Sequence, residues 1–279
     1  MVDYFKSEKI NTAVTAIRSR SGEIMYLIEG LEKAILIDTC VGIKEFRNFV
    51  ENLTRKPITV LITHGHMDHA MGASEFEDVY MNSLDRDVYF NHRNLERRKE
   101  YVTSCIGKQE EWMHNAMNFV PETEPLFKEL KDGAIFDLGR EHVEVYSLGG
   151  HTKGTMVMLL PEERILITGD ACNNATFLFD EYSLSVEEYR ENLICIEKKL
   201  EGRFDRCFMM HHDMEASKDL LKNVIEVCDT IMDGKADDME FNFMGNINYV
   251  AKRATPQFIR EDGGEGNIVY NKKKVMKMV

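Results

Sequence analysis

The chain is poor in proline, with five, and holds a single tryptophan among its 279 residues. No apolar run approaches the roughly 20 residues that a membrane helix needs, which excludes a spanning segment of that kind. Its six cysteines (Cys40, Cys105, Cys172, Cys195, Cys207 and Cys228) are scattered, with no Cys-x-x-Cys pair. Such spacing argues against a disulfide framework and suits reduced thiols in a cytoplasm. Positive charge is also scarce: 35 Lys and Arg face 48 Asp and Glu, a formal net charge of -13. That balance disfavours a nucleic-acid polyanion as the main partner, although a local basic patch or metal ions can still face a phosphate. The opening residues Met1-Val2-Asp3-Tyr4-Phe5-Lys6 lack the basic-then-apolar plan of a signal peptide. Repeats and low-complexity linkers are missing as well. The expectation is a cytoplasmic protein with a small-molecule substrate and no membrane partner, its oligomeric state open and compatible with a homodimer.

What is present is an interleaving of strand and helix signals. Residues 12–18, 25–28 and 34–38 read as strands around turns, and 43–53 as a helix with Phe46, Phe49, Val50 and Leu53 at helical spacing. The short apolar run after Pro57, residues 58–63, suits a strand buried on both faces. Residues 85–131 are charge-rich and read as a helical insertion broken by Pro121 and Pro125; the part from Tyr89 to Trp112 is a candidate lid. Strand signals resume at 134–136, 142–148, 155–160, 164–168 and 206–210, with amphipathic helices expected over 186–200 and 216–231. The class is therefore α/β (α+β). One domain is expected over 1–232, carrying the insertion. An extension over 233–279, richer in Gly, Asn and Lys, reads as a small cap or edge hairpin packed on or near it.

Chemistry concentrates at His64-Gly65-His66-Met67-Asp68-His69. His64 and His66 are two apart just beyond a strand, so extended backbone turns both rings to one side. Asp68 and His69 lie in the turn that follows and reach a second point nearby. Four metal-type ligands in six residues exceed what one tetrahedral centre takes in this geometry; they suit two adjacent metals completed from elsewhere. The completing candidates all follow later strands: His151 in a Gly-rich turn, Asp170 after Ile165-Leu166-Ile167, and His211 and His212 after Cys207-Phe208-Met209-Met210.

This pattern resembles the metallo-β-lactamase fold superfamily over about residues 12–213, with the glyoxalase II-like branch nearest. His64-x-His66-x-Asp68-His69 matches its main motif without a departure, and Asp38, His151, Asp170 and a late histidine match the others. The resemblance implies a four-layer αββα sandwich. It implies one metal held by His64, His66 and His151 and a second by Asp68, His69 and a late histidine, with Asp170 bridging. His212 is the preferred late ligand, because His212-Asp213 reproduces the family's His-Asp step; His211 is the alternative. Aspartate at position 170 resembles the glyoxalase II, lactonase and phosphodiesterase branches, where the best-known β-lactamase branch carries cysteine. Cys172, two residues on, is not expected to be a ligand.

The implied reaction is hydrolysis of a small carboxylic ester, thioester or lactone by a metal-bridging hydroxide. Phosphodiester hydrolysis at the same site is the runner-up, and a metal-binding or sensor protein without turnover is the reading from another class. Zinc is the expected ion, with iron and manganese compatible. Asp68 would ligate and orient the hydroxide, and Asp38 would stiffen the histidine loop from behind. Phe177, Phe179 and Tyr182 are candidate pocket residues, and Lys153 a candidate partner for an anionic group. Lys272-Lys273-Lys274 matches the basic residues by which glyoxalase II-like enzymes bind a thiol carrier in composition only.

Overall fold

A mostly polar strand opens the first sheet. Phe5–Lys9 (β1) turns one apolar residue inward and exposes the next four, as an edge strand does. It pairs antiparallel with Val14–Ser19 (β2), and β2 with Ile24–Glu29 (β3) and β3 with Ala34–Ile37 (β4) in the same sense. From β4 the sheet becomes parallel, through Ile58–Leu61 (β5), Val79–Met81 (β6) and Lys128–Glu129 (β7). All four residues of β4 are buried, which is why this strand reads as continuously apolar. These coordinates are a computed structural model, which describes residues 4–107, 118–123, 125–211, 213–243 and 245–277. The chain divides into two compact units, Met1–Glu144 and Val145–Val279.

In the first unit, helix Phe46–Leu53 (α1) joins β4 to β5 and buries Phe46 and Val50 in a core with Phe5, Leu36 and Val60. One turn of helix, Met67–Ala70 (α2), follows β5. The expected insertion contains Arg86–His92 (α3) and Leu95–Ile106 (α4). Arg98 on α4 is buried and donates to the carbonyls of Val120 (2.6 Å) and Val41 (3.4 Å). Trp112 lies outside the described residues.

Strand Ile135–Asp137 (β8) pairs with the start of His142–Ser147 (β9), which carries the chain into the second unit. There β9 continues the sheet to Met156–Leu160 (β10), Ile165–Ile167 (β11), Arg206–Phe208 (β13) and Glu215–Ser217 (β14). Helix Val186–Lys199 (α5) starts in a capping box, in which Ser185 and Glu188 satisfy each other's backbone N–H groups. The second helix begins later than the sequence predicts, at Leu220–Met232 (α6). Glu215–Ser217 pairs with β13 instead, and Ser217 is held by the carboxylate of Glu265. The region after α6 forms Met239–Phe243 (β15), Asn246–Val250 (β16) and Ile268–Tyr270 (β17). With Thr176–Leu178 (β12) these make a four-stranded sheet in the order β12-β17-β16-β15. Among the described residues, no helix is long and apolar enough to cross a membrane.

Candidate functional site

In the first unit the polar residues gather where the parallel strands β4 and β5 end, the edge at which open α/β sheets bind ligands. Asp38 follows β4 with φ of 62°, a left-handed conformation that is uncommon outside glycine. There its carboxylate accepts three hydrogen bonds: from the Thr63 amide (2.7 Å), the Thr63 hydroxyl (2.6 Å) and His69 Nδ1 (2.6 Å). The Thr63 hydroxyl, its proton committed to Asp38, accepts from His64 Nδ1 at 3.0 Å. Both imidazoles are thereby assigned the Nδ1–H tautomer, with Nε2 as the unprotonated nitrogen. His64 Nε2 lies 3.1 Å from His66 Nδ1, and His69 Nε2 lies 3.7 Å from Asp68 Oδ2.

Local packing explains Gly65. A Cβ there would stand 2.6 Å from the Asp85 carbonyl and 2.8 Å from the Tyr89 amide nitrogen. The Gly65 amide donates to the buried Asp85 carboxylate at 2.8 Å, which pins the loop between the two histidines. His66 also stacks on His92 of α3, with centroids 4.6 Å apart. From α4, the Tyr101 hydroxyl donates to Asp68 Oδ2 at 3.3 Å. Burial, with the charges of Glu23 and Asp68 beside it, holds the Tyr101 phenol well above its usual range, so it serves as a donor.

The second unit carries its own constellation. Strands β11 and β13 run parallel, so Asp170 and His211 follow the same ends of adjacent strands. His151 follows the tight turn at Gly149-Gly150, where a Cβ on Gly150 would stand 2.1 Å from the Tyr189 ring. His151 Nδ1 donates to the Phe177 carbonyl at 2.9 Å, turning Nε2 toward Asp170, whose Oδ2 is 3.9 Å away. His211 Nε2 lies 3.4 Å from the same oxygen. One carboxylate thus stands between two imidazoles, and Asn173 donates to its other oxygen at 3.4 Å. His212 lies outside the described residues.

Of the other sequence candidates, Lys153 is exposed on the turn after His151, and Tyr182 is half-buried in a loop whose amides bond Asp180. Phe177 and Phe179 pack together, with centroids 4.8 Å apart. Cys172 is fully buried and packs in the core with Tyr189 and Leu193. Sequence reading passed over Thr63, Asp85, His92 and Tyr101, because their value lies in which side chain they touch. The strand-end position of Thr63, one residue before the first histidine, was the single usable signal.

The profile of the Metallo-beta-lactamase superfamily matches residues 24–203, well over half of the chain. The chain belongs to that superfamily. Its mixed α/β fold agrees with that membership. Among curated proteins it is similar to the acyl-coenzyme A thioesterase MBLAC2 of Homo sapiens, 23% identical over 55% of this chain and 60% of that protein. The protein of the same name from Gallus gallus is 21% identical over 73% of this chain and 82% of that one. The chain thus spans about three-fifths of the human relative's length. Among solved structures, the metallo-beta-lactamase from Pontibacter korlensis shares the fold. It superposes with a TM-score of 0.59 at 17% identity, over 80% of this chain and 97% of that one.

Proposed function

We propose that this metallo-β-lactamase superfamily hydrolase is a thioesterase whose two constellations together hold two divalent ions, zinc being the expected pair. In this reading His64, His66 and His151 take one ion, Asp68, His69 and His211 the other, and Asp170 is shared. The donor chemistry fits. The bonds that Asp38, Thr63 and the Phe177 carbonyl accept from Nδ1 of His69, His64 and His151 leave Nε2 of each ring as the metal-facing nitrogen. Divalent ions held by these residues would supply an acidified water, its pKa lowered from 15.7 toward about 7, and polarisation of the thioester carbonyl.

The chain's own residues do the rest. Asp68 orients the attacking water, and the Tyr101 hydroxyl fixes the carboxylate oxygen it donates to. Asp38 holds the His69 ring directly and the His64 ring through the Thr63 hydroxyl. With its imidazoles engaged as ligands, the site has few groups left to protonate a departing alkoxide. A thiol with a pKa of about 8.5 needs less help, since it departs as thiolate near neutrality. That favours a thioester over a simple ester. The names of the curated relatives carry the same preference.

His211 is proposed over His212 because its Nε2 lies 3.4 Å from Asp170 Oδ2. Exchanging each for alanine separates them: His211→Ala should lose one metal per chain and His212→Ala should keep two. The reverse result returns the role to His212, the residue the family spacing prefers. The function is tested by metal analysis with a panel of acyl-coenzyme A thioesters, simple esters, lactones and phosphodiesters. Thioester turnover abolished by Asp68→Ala is expected. Faster phosphodiester turnover would move the protein to the runner-up class, and two bound metals with no turnover would make it a binder or sensor.

A further inference from the structure

Five phenylalanines gather in the second unit without joining its core. Phe177 and Phe179 lie on and just after β12, Phe241 and Phe243 on β15, and Phe258 in the loop before β17. Phe241 and Phe243 are two apart on one strand and so share a face. They stack at 6.1 Å with an interplanar angle of 15°. The Phe177 ring lies 5.8 Å from Phe241 and 5.7 Å from Phe243, and Phe258 lies 5.5 Å from Phe241. Yet β12 and β15 are opposite edges of their sheet, with β17 and β16 between them. In a flat sheet those edges would stand roughly 14 Å apart. The rings of the two edge strands nevertheless meet across the sheet, and together they make a partly exposed phenyl cradle.

None of these rings carries a polar atom, and Phe243 keeps 38% of its surface exposed. A core cluster of this size would be dry. The cradle is also tied to the chemistry, because the carbonyl of Phe177 is the group that accepts from His151 Nδ1. We infer that this cradle is the subsite for the aliphatic acyl chain of the thioester, an inference that rests on the thioesterase reading. A partly exposed row of phenyl rings beginning beside His151 suits an extended methylene chain. The enzyme then selects substrates by acyl length, and its preference lies beyond the acetyl group.

Steady-state kinetics on the full chain with acetyl- to dodecanoyl-coenzyme A test this. KM should fall about twofold per added methylene, short of the roughly fourfold that complete burial of a methylene gives. Phe243→Gln should weaken that trend to about 1.5-fold per methylene and so raise KM for the decanoyl substrate about tenfold. Phe243→Leu should restore most of the trend. A chain-length-independent KM in the wild type overturns the subsite while leaving the thioesterase reading intact. Calorimetric titration with decanoyl-coenzyme A adds a readout that needs no turnover. Tight binding weakened by Phe243→Gln but without hydrolysis keeps the subsite and removes the thioesterase reading. Self-association that Phe243→Gln abolishes would assign the rings to a dimer face and overturn the proposal.

Discussion

Asp38 organises more of the site than any other single side chain outside the proposed ligands. Three donors converge on its carboxylate while its backbone sits at φ of 62°. Asparagine tolerates that conformation and keeps the size, but its amide nitrogen cannot accept. Asp38→Asn should therefore leave the fold in place and cost about 10- to 100-fold in metal affinity or turnover, read by metal content after dialysis together with kcat. Tyr101 acts one step further back. Tyr101→Phe removes only the hydroxyl on Asp68, so kcat should fall several-fold while KM and metal content stay near wild type. The proposed ligands were legible as candidates because their residue types and spacing are improbable by chance, whereas Asp85 and His92 carry no such pattern. Thr63 and Tyr101 were not, since a threonine or tyrosine acquires its role only from the partner that the fold supplies.

At the scale of elements, the parallel strand pairs explain where the chemistry sits. β4 and β5 in the first unit, and β11 and β13 in the second, each deliver their side chains from the ends that parallel pairing aligns. Most of these strands were readable as short apolar runs. The start of α6 was not: residues 216–231 have helical periodicity, but pairing with β13 wins over propensity for Glu215–Ser217. β1 escaped notice for the opposite reason, since an edge strand with one buried residue has almost no apolar pattern. The turn before His151 gives a sharp test. Gly150→Ala would push a methyl into the buried Tyr189 ring, 2.1 Å away in ideal geometry. A loss of about 1–3 kcal/mol in denaturant unfolding is expected, with reduced turnover because His151 must move with the turn.

For the whole molecule, the relevant linkage is between metal and stability. Ions that bind only the folded chain stabilise it by about 2.7 kcal/mol per site at 100 times the dissociation constant. Chelation should abolish turnover and, with both proposed sites emptied, lower the melting temperature by roughly 10–20 °C, from about 2–4 °C per kcal/mol in a chain of this size class. Adding back zinc, iron and manganese separately, with rates and melting curves measured for each, identifies the ion that restores both. The strand next to His151 also has a temporal consequence. Among the described residues β12, whose Phe177 carbonyl accepts from that histidine, is paired with β17 alone, through Thr176 to Ile268 and its two neighbours. At ribosomal speeds of about 5–20 residues per second, β17 is synthesised several seconds or more after His151. A nascent chain that has already made every proposed ligand therefore still lacks the strand that pairs with β12, so the support behind His151 is completed only once translation has passed Tyr270.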